Sequence, residues 1–232
     1  GFTPEDLPNF LPVLKESPEV RVATLFSHLV GADEVEHNAY SRQQIRLFRE
    51  MSDALNQTLG YMPLRHICNT AGILRFPEAA FDMVRLGIGL HGIEAAGIEP
   101  QALRVAGTLK TTISQIKHIS AGETVGYGRK GMVDKPSRIA TIAIGYADGY
   151  NRKFSQGVGQ VWLHGELCPV VGNVCMDMTM VDVTDIHCKE GDEVILLGGK
   201  ITLKEMAEQC STIPYEILTS ISNRVKRKYI KE

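Results

Sequence analysis

The sequence predicts an α/β region followed by a β-rich region, and three observations carry that prediction. Apolar, strand-like runs alternate with helical stripes from the N-terminus to about Leu90. Short strand-like runs separated by glycine-rich turns follow from residue 103 onward, and the pattern changes around Gly97–Gln101. The expected domains are therefore 1–100 and 101–232.

The elements follow in chain order. Thr3-Pro4-Glu5-Asp6 reads as a helix start, with a hydroxyl cap, a first-turn proline and acids on the positive end of the dipole. Leu7, Phe10, Leu11 and Leu14 continue a helical stripe, which Pro8 and Pro12 should shorten or kink before Ser17-Pro18. Val20–Val30 is a β-branched run broken by His28, as in a buried parallel strand with polar groups at its end. Ile45, Phe48, Met51, Leu55 and Leu59 recur at helical spacing over 41–59, and Gly60 sits where a helix-ending glycine belongs. A second strand is expected over Leu64–Asn69, a short helix near Pro77–Met83 and a third strand over Val84–Leu90.

Such alternation specifies a parallel sheet, whose ligands bind at the carboxyl ends of strands, where His28, Asn69, Thr70 and Arg85 fall. Three strands do not close an eight-stranded barrel, so either the sheet is open or further strands lie upstream of Gly1. Beyond the boundary, strands are expected within Val105–Ile119, Arg138–Ile144, Gly159–Leu163, Thr179–Val183 and Glu193–Leu197, then helices at Leu203–Gln209 and Tyr215–Arg224.

Composition narrows the function. Apolar residues make up 44% and charged residues 22% of the 232, the profile of an ordinary globular protein. Twenty-five Lys plus Arg against 27 Asp plus Glu give a net charge of −2, so no overall field attracts nucleic acid or anionic lipid. No apolar run approaches a membrane span. The basic stretch Arg224–Lys231 reads first as a frayed, solvated tail, with contact to an anion as the alternative. Five scattered cysteines without Cys-x-x-Cys spacing indicate neither a disulfide framework nor a zinc knuckle, and a reducing cytoplasm is expected. His37, His66, His91, His118, His164 and His187 show no metal-ligand spacing, so no metal site is expected.

Several short motifs could carry chemistry. Val125-Gly126-Tyr127-Gly128 sets a tyrosine between two glycines, either a reactive phenol or a turn tyrosine with its hydroxyl in water. Ile144-Gly145-Tyr146-Ala147-Asp148-Gly149-Tyr150 delivers two phenols and a carboxylate on a glycine-punctuated turn. Cys175-Met176-Asp177 puts a thiol beside a carboxylate, although a free cysteine is usually a small buried hydrophobe. Arg85 lies in the apolar run Met83–Gly89 and needs a buried partner, with His28 the candidate. Gly87 and Gly89 beside it would let backbone N–H groups face an anion such as phosphate.

Together and in order, these pieces resemble the alanine racemases, pyridoxal 5'-phosphate enzymes that interconvert L- and D-alanine. The resemblance runs from Gly1 to about Lys228 and rests on Phe26-Ser27-His28, His66-Ile67-Cys68-Asn69-Thr70-Ala71, Val84–Ile88, Val125–Gly128, Ile144–Gly149 and Cys175-Met176-Asp177. It implies the C-terminal part of a (β/α)8 TIM-type barrel followed by a mainly antiparallel β-domain. It further implies a cytoplasmic head-to-tail homodimer that acts on alanine and supplies D-alanine for peptidoglycan.

By the same resemblance Tyr127 removes the α-proton of L-alanine inside the partner subunit, Arg85 contacts the pyridine nitrogen and His28 supports Arg85. An arginine there keeps that nitrogen unprotonated and weakens the electron sink, which favours clean return of the proton. Thr70, Gly87 and Ile88 are expected to hold the phosphate, with Asn69 lining the site. Tyr146 and Asp177 are expected at the entrance, and the backbone N–H of Met176 on the substrate carboxylate.

Two departures qualify this expectation. Asn223 stands where many family members carry a phosphate-contacting tyrosine. No lysine has the context of the family's Schiff-base lysine, and the segment with its modified lysine and substrate-orienting arginine is not in the sequence. The chain is thus expected to be a C-terminal piece of a racemase and a poor catalyst alone. The alternative is a non-catalytic dimerisation or binding module.

Overall fold

The computed structural model describes residues 1–94, 97 and 103–230, and the chain divides into two compact units, Gly1–Ala106 and Gly107–Glu232. The boundary expected near 97–103 falls largely on residues outside those described.

In the first unit, a 3-10 turn at Pro4–Asp6 leads into helix α1, Leu7–Lys15. The Asp6 carboxylate closes its start by accepting from the Thr3 N–H at 2.7 Å and from the Thr3 hydroxyl at 3.0 Å. Strand β1, Thr24–Phe26, is far shorter than the apolar run that predicted it. Helix α2, Asn38–Leu59, buries Ile45, Phe48 and Leu55 of the expected stripe and leaves Met51 and Leu59 half-buried, while Ser41 and Ser52, outside that stripe, are buried on it as well. It ends at Gly60, whose φ of 75° is the left-handed conformation of a helix terminus. Strand β2, Leu64–His66, pairs parallel with β1, Phe26 opposite His66.

The next helix comes earlier than expected. Helix α3 spans Thr70–Arg75 because the Asn69 side chain caps it, its Oδ1 accepting from the Gly72 N–H at 2.9 Å. Pro77–Ala79 is only a 3-10 turn. Leu29, Ala32, Ile45, Phe48, Ile67, Cys68, Ala71, Phe76 and Ala79 form one apolar core around α2, β2 and α3.

The third strand expected over Val84–Leu90 does not form. The segment runs beside β2, with the Arg85 N–H donating to the Cys68 carbonyl at 2.9 Å. The Gly87 and Gly89 N–H groups then turn to the Thr70 hydroxyl instead of a neighbouring strand, and Ile88–His91 becomes a 3-10 turn.

The second unit is built on antiparallel strands. Strands β3 (Leu109–Ile119), β4 (Thr124–Val125), β5 (Gly131–Met132), β6 (Ser137–Ile142), β7 (Gln160–Leu163), β8 (Glu166–Pro169), β9 (Thr179–Asp182) and β10 (Glu193–Leu197) follow in order. Six of them form one sheet in the order β8-β7-β10-β3-β6-β9. A bridge from Val170 to Val181 draws its edges together, so the sheet nearly closes. β8 was not anticipated. It follows β7 through His164-Gly165, both at positive φ (49° and 94°), as a two-residue hairpin turn demands.

Helix α4, Leu203–Gln209, has the expected bounds, and its Thr202–Glu205 capping box explains its start. Helix α5, Pro214–Ser220, is shorter than expected. The chain after Ser220 turns back, and the Ser222 N–H donates to the Asp148 carbonyl at 3.0 Å. The basic stretch is therefore not a frayed tail throughout. Arg224 is ion-paired, and Arg227 donates to the carbonyls of Ile221, Ser222 and Val225. Tyr229 and Ile230 are exposed, and Lys231 lies outside the described residues.

Candidate active site

The site residues expected in the first unit gather where β1 and β2 end. Arg85 donates to the carbonyls of Ser27 (2.8 Å), His66 (3.1 Å) and Ile67 (3.2 Å). It also donates to Nδ1 of His66 at 2.7 Å and Nδ1 of His28 at 3.3 Å. None of these partners is a carboxylate, so the guanidinium is held in place without being neutralised. His66, which the sequence reading passed over, is its shortest partner. The imidazole is buried beside a cation, and burial, then the charge of Arg85, holds His66 below its ordinary value. A neutral ring that accepts at Nδ1 follows. Phe26 stacks on it at 5.6 Å between centroids.

Thr70 lies beside this cluster, 2% exposed. Its Oγ1 accepts from the N–H groups of Gly87 (3.0 Å) and Gly89 (3.2 Å), which leaves the hydroxyl hydrogen free to donate. The N–H of Ile88 stands at the first position of the 3-10 turn, where no partner exists within the turn. Asn69 faces inward: its Nδ2 donates to the Leu29 carbonyl at 3.2 Å while its Oδ1 caps α3. Structurally, Asn69 ties β1's loop to α3.

The second unit carries the other expected residues on three loops, after β4, after β6 and before β9. Tyr127 opens a 3-10 turn between β4 and β5 and is 77% exposed. Its neighbours Gly126 and Gly128 take φ of 77° and 68°, so the Gly-Tyr-Gly spacing is a conformational requirement of this turn. Tyr127 lines a groove of about 490 Å³ together with Gln115, Lys117, Thr141, Cys175 and Met180. The Cys175 thiol is raised by burial and donates to the Asn173 carbonyl at 3.5 Å, so it behaves as a core residue and not as a nucleophile.

Tyr146 and the Met176-Asp177 segment are clipped together. The N–H of Tyr146 donates to the Cys175 carbonyl (2.9 Å) and that of Ala147 to the Met176 carbonyl (3.0 Å). This approach needs glycine at position 145, where a Cβ would stand 2.3 Å from the Cys175 carbonyl oxygen. Arg224 joins the cluster from the C-terminal segment, Nε on Asp148 at 2.6 Å and Nη2 on Asp177 at 2.5 Å. Burial raises Asp148, but hydrogen bonds from Arg224 and from the Gly145 N–H outweigh it and hold the carboxyl below the usual range. Asn223 is exposed on the turn before Arg224.

Comparison with known proteins is decisive at the level of family. Residues 1–95 match the family model "Alanine racemase, N-terminal domain" and residues 106–229 match "Alanine racemase, C-terminal domain". The chain belongs to the alanine racemase family. It is 40% identical over 244 residues to the alanine racemase of Clostridium novyi, an alignment covering 100% of this chain and 62% of that protein. Among solved structures, alanine racemase from a D-cycloserine-producing Streptomyces lavendulae aligns with a TM-score of 0.91 at 33% identity, over 100% of this chain and 63% of that one. The Bartonella henselae alanine racemase, solved with covalently bound pyridoxal phosphate, aligns with a TM-score of 0.87 at 33% identity, over 99% and 63%.

The chain thus spans about 62% of the length of the curated relatives it matches. The α/β unit is part of the family's N-terminal barrel domain, and the nearly closed antiparallel sheet is its β-rich C-terminal domain. Among the described residues, no helix is long and apolar enough to cross a membrane.

Proposed function

We propose that this chain supplies the phosphate- and pyridine-binding residues, and the proton-transferring tyrosine, of an enzyme that racemises alanine with pyridoxal 5'-phosphate. The observation that carries the reading is the Arg85–Thr70 cluster, a cation held by backbone carbonyls and imidazole nitrogens without a carboxylate partner, next to a hydroxyl whose hydrogen is free to donate and a turn-initiating N–H. Those donors fit the group. Arg85 suits the acceptor nitrogen of a pyridine, and Thr70, Gly87 and Ile88 suit an anionic phosphate. Because the structure spends the Gly87 N–H on Thr70, the Thr70 hydroxyl and the Ile88 N–H are the phosphate donors on this reading, and the Gly87 N–H holds the Thr70 oxygen in place.

When bound, pyridoxal 5'-phosphate supplies an electron sink for the carbanion left at the alanine Cα. Arg85 donates toward the pyridine nitrogen without protonating it, since a guanidinium does not release its proton near neutrality. His28 and His66 orient Arg85. Tyr127 is the residue that takes the α-proton, and its exposed turn lets the side chain reach a site outside its own unit. The Met176 N–H takes the substrate carboxylate, with Tyr146 and Asp177 at the entrance. In this reading the active form is a head-to-tail homodimer in the cytoplasm, in which Tyr127, Tyr146, Met176 and Asp177 serve the partner's barrel, and its product feeds peptidoglycan.

The second base is the missing part. Lys15, the one lysine before Lys110, belongs to the last turn of α1 and not to β1, β2 or the segments that follow them and carry Arg85 and Thr70. That observation favours one other reading, a binding or dimerisation module derived from a racemase. The test joins this chain behind the segment of the Clostridium novyi relative that it does not cover, and assays L- to D-alanine conversion with added pyridoxal 5'-phosphate. Turnover by the joined protein, its loss in a Tyr127→Phe variant and none from the chain alone are expected. A joined protein that binds the cofactor yet is indifferent to Tyr127→Phe overturns the role of Tyr127. Native mass spectrometry showing a folded dimer without cofactor affinity favours the module.

A further inference from the structure

We infer that Arg224 is a positioning residue for substrate-carboxylate recognition: its guanidinium ties the Tyr146 turn to the Met176-Asp177 loop and compensates the Asp177 charge beside the Met176 N–H. The inference rests on the reading that this N–H meets the substrate carboxylate. Three chain segments meet at the side chain. Asp148 closes the Gly145–Gly149 turn by accepting from the Gly145 N–H at 2.9 Å, and its second oxygen takes Nε of Arg224 at 2.6 Å. Asp177 takes Nη2 of the same guanidinium at 2.5 Å. The fork geometry of arginine makes this double grip possible, and a lysine ammonium does not span two such carboxylates in the same way.

Arg224 is itself anchored. The Ser222 N–H donates to the Asp148 carbonyl at 3.0 Å, and Arg227 donates to the carbonyls of Ile221 and Ser222 at 2.9 and 2.8 Å. The turn also permits no slack on its other side, because a Cβ at Gly149 would lie 2.4 Å from the Ser220 carbonyl oxygen. The guanidinium therefore adds a side-chain tie across segments that the Tyr146–Cys175, Ala147–Met176 and Ser222–Asp148 backbone hydrogen bonds already bring together, and it holds both carboxylates in place. Without it, Asp177 is left as a bare anion one residue from an N–H that must receive another anion, and like charges at such range repel.

The test uses Arg224→Gln and Arg224→Lys, with two readouts. In the chain as it stands, amide hydrogen exchange at Tyr146 and Ala147 is expected to quicken about tenfold in Arg224→Gln, the loss of one charged hydrogen bond. Carboxyl-detected NMR is expected to show the Asp148 midpoint rising. In the joined enzyme, KM for alanine is expected to rise about tenfold with kcat changed far less, because ground-state and transition-state binding of the carboxylate fall together. Arg224→Lys should recover the Asp148 midpoint and part of KM, but not the slow exchange. Unchanged exchange and unchanged KM in Arg224→Gln overturn the inference. If Arg224→Gln does not fold, Arg224→Lys decides, and wild-type exchange with wild-type KM in that variant overturns it. A wild-type joined protein without turnover defeats the racemase reading instead, and the exchange measurement still reports on the Arg224 bridge.

Discussion

Thr70→Val is the substitution whose cost follows most directly from the geometry. Valine keeps the shape of threonine and puts a methyl where Oγ1 accepts from the N–H groups of Gly87 (3.0 Å) and Gly89 (3.2 Å). An orphaned buried donor costs about 1–3 kcal/mol. The two donors differ: Gly89 is buried and has no route to water, whereas Gly87 is exposed and recovers most of its bond from solvent. The expected total is therefore about one full penalty plus a fraction, about 2–3 kcal/mol. Thr70→Ser keeps the oxygen and loses one methyl, about 1 kcal/mol, so stability should rank wild type, then Ser, then Val. Urea unfolding followed by circular dichroism at 222 nm reads it, because the 22-residue α2 dominates the helical signal of that unit. Exchange of the Gly87 and Gly89 amides should quicken only in Thr70→Val. A valine variant as stable as the serine variant would mean that the hydroxyl does not organise the Gly87–Gly89 backbone, and the phosphate cradle built on it would fall too.

Three further outcomes are expected. Gly145→Ala puts a Cβ 2.3 Å from the Cys175 carbonyl oxygen and 2.4 Å from that of Met176, so the two loops must part, at about 1–3 kcal/mol, and alanine KM in the joined enzyme should rise. Burial and Arg85 hold His66 below its ordinary value of 6.5, so the unfolded chain binds that proton more readily. The stability owed to neutral His66 is fully present above about pH 6.5 and is lost as pH falls through the folded value. His66→Asn, which offers an oxygen near the Nδ1 position, should flatten urea stability between pH 7 and 5. Tyr127→Phe in the joined enzyme should lower L-to-D turnover by at least about a hundredfold, the scale of a lost general base, while leaving the unfolding midpoint unchanged because the ring is exposed.

The parts of this molecule that were legible in its sequence are those settled by near neighbours. Ile45, Phe48 and Leu55 of the α2 stripe, the left-handed Gly60 and the bounds of α4 with its Thr202–Glu205 capping box are each decided within a few residues and follow from spacing, whereas the buried Ser41 and Ser52 do not. β8 carried a local signal as well, the His164-Gly165 pair, but one left-handed non-glycine residue disguised it. The third barrel strand was misread for the opposite reason. Val84–Leu90 has a strand's composition, yet whether it pairs depends on what the Gly87 and Gly89 N–H groups find, and they find Thr70 across seventeen and nineteen positions of chain.

The same distinction runs through the candidate site. Tyr127 stands out because Gly126 and Gly128 flank it at positive φ, and Tyr146 because it follows Gly145, where a close approach forbids a side chain, in a turn ended by the left-handed Gly149. His66 and Arg224 do not stand out, since nothing adjacent to either predicts an arginine nineteen residues from His66 or a carboxylate seventy-six residues from Arg224. Both are the residues that orient a more conspicuous partner: His66 aims Arg85, and Arg224 pins Asp148 and Asp177. A glycine needed for its φ announces itself, whereas a charge needed for its reach is indistinguishable from a solvated one until its partner is placed. Arg224 lay in a stretch that composition assigned to solvent, and only the closing of the Gly145–Gly149 turn against Met176 gives it two acids to hold.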